Sequence, residues 1–324
     1  MSNLEPRPAE LVGSTGVALA PVRELLPGRE VVLGGTRGMP VLRTLPNRDR
    51  RMVGAWCFVD HFGPDDVSRS GGMRVPPHPH TGLQTVTWLV EGEVRHRDSI
   101  GSDQLIRPGQ LNLMTAGRGI AHAEESPAPA GPVLHGLQLW VALPAGTRAV
   151  EAAFEHHGEL PRVELSSGGG VTATVLLGQL AGAVSPATTF TPIVGAELTV
   201  AGGAEAVVPL DAGFEYAALC VDGPAEVDGV AVPRGTLLYL GAGRSELPVR
   251  SDAPARLVLL GGEPFAEEIV MWWNFIARTH DEIVRAREDW MAGRGFGTVH
   301  GFEGDPLPAP VLPGTPLKPR GRVR

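Results

Sequence analysis

Turn signals recur every eight or nine residues through the first half of this chain, at Glu91-Gly92, Gly101-Ser102-Asp103, Pro108-Gly109 and Gly117-Arg118-Gly119. Helices of ordinary length do not fit between such turns and short strands do, so the spacing is that of an antiparallel sandwich or barrel. The intervening segments agree: Thr85-Val86-Thr87-Trp88-Leu89-Val90 and Gln110-Leu111-Asn112-Leu113 alternate with period two, as half-buried strands do. The 43 glycines and 30 prolines in 324 residues are roughly twice the usual share, which disfavours helix. With 43% apolar residues the chain can still build a core.

The second half repeats the plan, with turns at Asp222-Gly223, Asp228-Gly229, Arg234-Gly235, Gly241-Ala242-Gly243 and Ser251-Asp252. One stretch repeats in sequence, because IRPGQLNLMTAG at 106–117 and VPRGTLLYLGAG at 232–243 share an offset of 126. A repeat of that period means two related domains rather than a solenoid. The expected division is a flexible segment at 1–28, a first barrel at 29–145, a second at 146–264, a C-terminal segment with a helix at 265–295, and an extended Pro-rich tail at 296–324. Within 265–295, Thr279-x-x-Glu282 reads as a capping box and Gly293 as the stop. Ile283, Ala286 and Trp290 then share one face, which suits packing on a barrel.

The formal charge of −8 lacks the positive field that non-specific nucleic-acid binding needs. No run approaches the roughly 18 apolar residues of a membrane-spanning helix, and the N-terminal stretch is a poor signal peptide. Cys57 and Cys220 sit in apolar runs without a CxxC pattern. Buried, reduced thiols and a cytoplasmic setting are therefore expected.

Histidine placement points to the chemistry. Six of the ten histidines lie between residues 61 and 135, including His78-Pro79-His80 and, one meander later, His122-Ala123-Glu124. Spacing of i, i+2 in a strand puts both side chains on one face, roughly 6.5–7 Å apart along the chain. Strands that neighbour each other could then bring His78, His80, His122 and Glu124 around one ion. A nitrogen and oxygen set without thiolate favours Fe(II), Mn, Ni, Cu or catalytic Zn with open positions. The bland alternative is that His78 and His80 cap a proline-rich loop while Glu124-Glu125 is a solvated pair. His61 in DHFGP reads as a turn residue capping a strand, and His96 with Asp98 as a solvated strand face or part of an ion-pair ladder. Arg118, between two glycines, is expected either to meet an anionic substrate or to pair with an acid. Met114 and the tryptophans Trp56, Trp88 and Trp140 are expected in core or pocket wall.

The run VPPHPHTGLQTVTWLVEGEVRHRDSIGSDQLIRPGQLNLMTAGRGIAHAE at 75–124 resembles the N-terminal barrel of the pirin family, within the cupin superfamily. The resemblance rests on PPHPHTG, EGEVRHRDS, RPG and MTAGRGIAHAE in that order. It implies an all-β fold of two tandem cupin (jelly-roll-type) β-barrels with a short C-terminal helix. It also implies one mononuclear transition metal, usually iron, held at the positions of His78, His80, His122 and Glu124. Gln84 stands where cupins often carry a glutamate ligand, and could instead orient a metal-bound water. The second barrel has no histidine between His157 and His280, and the offset of 126 sets Pro248 opposite His122 and Arg250 opposite Glu124. That barrel is expected to be structural.

The activity the resemblance implies is a dioxygenase of the quercetin 2,3-dioxygenase kind, with a small aromatic or enol substrate and O2 as partners. Glu124, the one carboxylate of the quartet, is the expected proton acceptor. Gln84, Arg118 and Met114 are the expected accessory residues. A metal- or redox-sensing protein that docks on a partner without turnover is the alternative from another class, and turnover of another small enol or hydroxy acid is a third.

Overall fold

The computed structural model describes residues 21–33, 39–68, 71–128 and 131–322. Two β-sandwiches follow one another, each a seven-strand path facing a sheet of four. In the first, the large sheet runs Ala153–His157, Leu111–Thr115, Leu83–Glu91, Val133–Ala142, Trp56–Asp66, Met39–Leu45, Arg29–Leu33, and the small one Arg74–His80, Ile120–Glu125, Val94–Asp98, Asp103–Ile106. In the second, the large path is Pro21–Pro27, Thr236–Gly241, Glu215–Asp222, Ala255–Gly262, Ile193–Val200, Val171–Leu180, Arg162–Glu164, with Ala183–Val184 paired beside it. Its small sheet is Ala204–Pro209, Glu246–Ser251, Ala225–Val227, Val230–Val232. This is the tandem cupin fold.

Each sandwich borrows its edge strand from the other side of the expected boundary. Pro21–Pro27, placed by sequence in a flexible leader, pairs with Thr236–Gly241 of the second large sheet. Ala153–His157, expected in the second barrel, pairs with Leu111–Thr115 of the first. Residues 21–27 of the expected flexible segment are thus strand, and its residues 1–20 lie outside the described ones. The sequence hid this because an edge strand bonds along one side only and tolerates the flanking prolines that read as loop.

The offset of 126 aligns Ile120–Glu125 with Glu246–Ser251 strand for strand but puts their side chains out of phase. His122 and Glu124 are buried, whereas Pro248 and Arg250 are exposed and Leu247 and Val249 point into the core. With a period of two, a slip of one residue exchanges the faces. The inward counterparts of the histidine pair are thus apolar, and Leu247, Val249, Ala206, Val208 and Val227 join one core cluster.

The large sheets of the two sandwiches pack on each other through Leu137, Leu139, Val59 and Val86 on one side and Leu177, Leu219, Leu237 and Leu260 on the other, within one cluster. Trp56 Nε1 ties them, donating to Val194 O at 3.1 Å and Gly261 O at 3.2 Å. The helix forms at His280–Met291 with the capping box of Thr279 and Glu282 in place. Ile283 is buried against the hairpin of Val270–Trp272 and Phe275–Ala277, with Ala286 and Trp290 packed around it. The tail from 296 is extended, and returns through Ala309 and Leu317 to that cluster. Cys57 and Cys220 are free and buried. No helix among the described residues is long and apolar enough to cross a membrane.

Candidate metal centre

The histidine pairs converge on the inner face of the first small sheet. His78 and His80 end the strand Arg74–His80, His122 and Glu124 lie on Ile120–Glu125, and the register sets His122 opposite His78. Two glycines close that end of the sandwich. Gly82 and Gly117 hold φ of +71° and +53°, and a Cβ would meet Ile276 O at 2.3 Å in one case and Val150 O at 2.0 Å in the other. Only glycine fits such a position.

His80 Nε2 and His122 Nε2 are 3.1 Å apart, and the ligand atoms of His78, His80 and His122 lie within 4.8 Å of one another. All three side chains are fully buried. Their other nitrogens are engaged: His78 Nδ1 lies 2.8 Å from Pro76 O, and His80 Nδ1 lies 3.1 Å from Asn274 O. A carbonyl oxygen only accepts, so each of these Nδ1 atoms carries the hydrogen and each Nε2 is left as a bare lone pair. His78 Nε2 has no hydrogen-bond partner. Lone pairs aimed at one another repel unless a cation lies among them. Two nitrogens about 2.1 Å from an ion, on adjacent corners of an octahedron, stand about 3.0 Å apart, close to the spacing of His80 and His122. A transition metal fits this donor set, and the Nδ1 contacts are those that orient ligating imidazoles. Burial pushes His78 down to about 3. Burial and the neighbouring histidines push His80 and His122 well below their ordinary range. All three are therefore neutral at pH 7, the form that ligates.

The four expected residues fall into two groups that share His122. Glu124 gathers with His122 and His96, again within 4.8 Å. His96 is thus no solvated strand residue. It is 3% exposed, lies with Nδ1 3.3 Å from His122 Nδ1, and meets Asp98 Oδ2 through Nε2 at 3.1 Å. The ladder reading holds only for the alternate residues of that strand, where Arg95 pairs with Asp103 and Arg97 with Glu125. Burial raises the Asp98 pKa, but hydrogen bonds from His96 and Ser102 outweigh it and hold the carboxyl below its ordinary range.

Two cross-strand rows of the large sheet face the centre. One runs Phe154, Met114, Thr85, Trp140, Phe58. Phe154 stacks on His96 with centroids 4.5 Å apart, and Trp140 stands edge-on to His80 at 5.1 Å. Met114 stands in that row between Phe154 and Thr85. The second row is polar across six strands: His156, Asn112, Thr87, Gln138, Asp60, Arg43. Arg43 grips Asp60 with two bonds of 2.7 and 2.8 Å. Thr87 Oγ1 reaches Glu124 Oε1 at 3.3 Å and Gln138 Oε1 at 3.1 Å. Buried Asn112 Nδ2, Gln138 Nε2 and Trp140 Nε1 have no hydrogen-bond partner.

Two expectations are corrected, for Gln84 and His61, and a third, for Arg118, is decided between its alternatives. Gln84 points to the opposite face, where Nε2 donates to Thr115 Oγ1 at 3.0 Å and to Thr188 O of the second sandwich at 3.1 Å; strand parity makes it a neighbour of the interface. Arg118 is exposed and paired with Glu151, the second of its two expected roles. His61 is a buried strand residue with Nε2 2.9 Å from His135 Nε2. Burial, the His135 charge and Arg234 lower His61 to about 3, while burial and Arg234 lower His135 to about 4. Sequence reasoning missed Thr87 and Asn274 and discounted His96 and Asp98. The i, i+2 spacing of His96 and Asp98 was a usable signal; the carbonyl of Asn274, from the C-terminal hairpin, left none.

Comparison with known proteins supplies the remaining observation. The family model described as Pirin matches residues 38–141, and the Pirin C-terminal cupin domain matches 195–297. A Pseudomonas aeruginosa protein provisionally named quercetin 2,3-dioxygenase is 48% identical over 286 residues, covering 88% of this chain and 89% of its own. A Caulobacter vibrioides pirin-like protein is 37% identical, covering 78% of this chain and 88% of its own. The crystal structure of quercetin 2,3-dioxygenase from Acinetobacter baumannii superposes with a TM-score of 0.86 at 42% identity, over 90% of this chain and 96% of that one.

Proposed function

Because the chain belongs to the pirin family, we propose that it is an iron-dependent dioxygenase that opens a flavonol-type or related enol substrate with O2. The observation that carries the reading is the convergence of three buried imidazoles, with His78 and His80 left with bare Nε2 atoms because their Nδ1 atoms are committed to carbonyls, and with His78 Nε2 unpartnered. His78, His80, His122 and Glu124 would hold the metal, which supplies Lewis acidity and a template for substrate and oxygen. Thr87 donates to Glu124 or Gln138 and so ties the carboxylate to the opposing sheet. From there a Glu124 oxygen takes the proton of the substrate hydroxyl. The free amide hydrogens of Asn112 and Gln138 suit the carbonyl and hydroxyl oxygens of such a substrate, and Phe154, Trp140 and Phe58 offer it aromatic surface. A cytoplasmic setting fits the two free thiols.

The test is anaerobic mixing of iron-loaded protein with quercetin followed by O2. The flavonol absorption should bleach as one carbon leaves as carbon monoxide, and His122→Ala should neither take up iron nor bleach the substrate. Iron-loaded protein that turns over none of a flavonol panel overturns the enzyme reading in favour of a metal- or redox-sensing partner protein.

A further inference from the structure

His122 differs from the two histidines beside it. His78 and His80 rest their Nδ1 hydrogens on backbone carbonyls, which can only accept. His122 instead meets another imidazole, His96, nitrogen to nitrogen at 3.3 Å. Such a contact has one hydrogen and two directions, and the direction decides whether His122 presents a lone pair or an N–H to the metal cluster.

The direction is set at the far end. Asp98 Oδ1 accepts from the backbone N–H groups of Ile100 at 3.1 Å and Ser102 at 2.9 Å, so the turn at 99–102 fixes the carboxylate and leaves Oδ2 for His96 Nε2 at 3.1 Å. A carboxylate only accepts, so His96 Nε2 carries the hydrogen. With its ring hydrogen given to Asp98, His96 offers a lone pair at Nδ1, His122 Nδ1 then carries the hydrogen between them, and His122 Nε2 is bare where it faces His80. The Phe154 ring, stacked at 16° on His96, keeps the imidazole from turning. Both nitrogens of His96 are occupied in this arrangement.

We propose that Asp98 and His96 form a positioning relay that fixes the tautomer of His122 and thereby sets the affinity of the cluster for a transition metal, His96 not being a ligand. The proposal rests on the reading of His122 as a ligand. Outer partners of ligating histidines commonly contribute 10–100-fold in metal affinity.

The experiment loads purified full-length variants with Co(II), whose visible absorption reports coordination, and measures affinity by chelator competition alongside the thermal melting of the metal-free protein. Asp98→Asn can turn an N–H toward His96 and reverse the chain, so it should weaken Co(II) binding about 10–100-fold with little change in melting. Adding His96→Asn should restore binding, because an amide oxygen near the former Nδ1 accepts from His122 whatever stands at 98. His96→Leu offers no acceptor and should resemble Asp98→Asn. Wild-type affinity in both Asp98→Asn and His96→Leu overturns the relay. So does total loss of Co(II) in His96→Asn, equal to that of His122→Ala, since His96 is then a ligand. A wild-type protein that takes up no Co(II), or a His122→Ala variant that keeps it, defeats the metal-centre reading itself and the relay with it.

Discussion

The polar row Asn112, Thr87, Gln138, Asp60 of the first large sheet has its counterpart in Leu238, Ala218, Leu259, Ala196 of the second, at the same depth and in the same strand order. Val175 then stands where Arg43 stands. Both rows lie on strands whose backbone groups are satisfied by the sheet ladders, so the fold is indifferent to which row it carries. The consequences differ. Each apolar side chain of the second row stabilises its sandwich on burial, by roughly 1.5–3 kcal/mol for a leucine or valine. The first row gives up that contribution, and its polar atoms must find partners or leave donors open. A duplicated scaffold has thus kept one half as packed core and made the other a centre, and the apolar interface between the large sheets supports both.

That contrast can be broken most severely at Asp60. Asp60→Ala removes the carboxylate that holds buried Arg43 by two bonds, and denaturant unfolding should show a loss of about 3–5 kcal/mol. A wild-type midpoint would mean that the ion pair is not what holds the row.

Acid should find the first sandwich before the second, since the buried His61 and His135 belong to it. Their folded pKa values, about 3 and about 4, lie below the ordinary 6.5. The unfolded chain therefore takes up protons first, and stability that is complete above pH 6.5 declines as the pH falls toward those values. Between pH 7 and 5 the expected loss is about 2 kcal/mol per histidine. His61→Gln should remove one such share of the slope, and melting curves at the two pH values that run parallel to wild type would contradict it.

The mildest comparison exchanges Thr87 and Ala218. Thr87→Val removes the hydroxyl between Glu124 and Gln138 and should cost about 1 kcal/mol, with metal-loaded turnover slowed and Thr87→Ser restoring it. Ala218→Thr places a hydroxyl in the apolar row and should cost about 1–3 kcal/mol with no effect on turnover. Equal effects of the two on turnover would erase the functional difference between the rows.

Much of this was legible in the chain. Turn spacing announced sandwiches, the repeat at 106–117 and 232–243 announced two, and the capping box at Thr279 placed the helix. The pairs at His78 and His122 announced the cluster because i, i+2 spacing fixes a common face. What stayed hidden depended on register or on distant chain. Gln84 sits beside Thr85 in sequence, yet parity turns it to the interface while Thr85 faces the centre. Pro248 and Arg250 matched His122 and Glu124 by number and missed them by one residue of phase.

By itself, then, the sequence determined the elements, their duplication and the residues able to meet a metal, since turn chemistry and strand period are local properties. Tertiary structure decided which sandwich each edge strand joins, that His96 and Asp98 stand behind His122, and that the Asn274 carbonyl from the C-terminal hairpin orients His80. Those outcomes rest on cross-strand register and on contacts between residues as far apart in sequence as Pro21 and Gly241, and no local pattern encodes either.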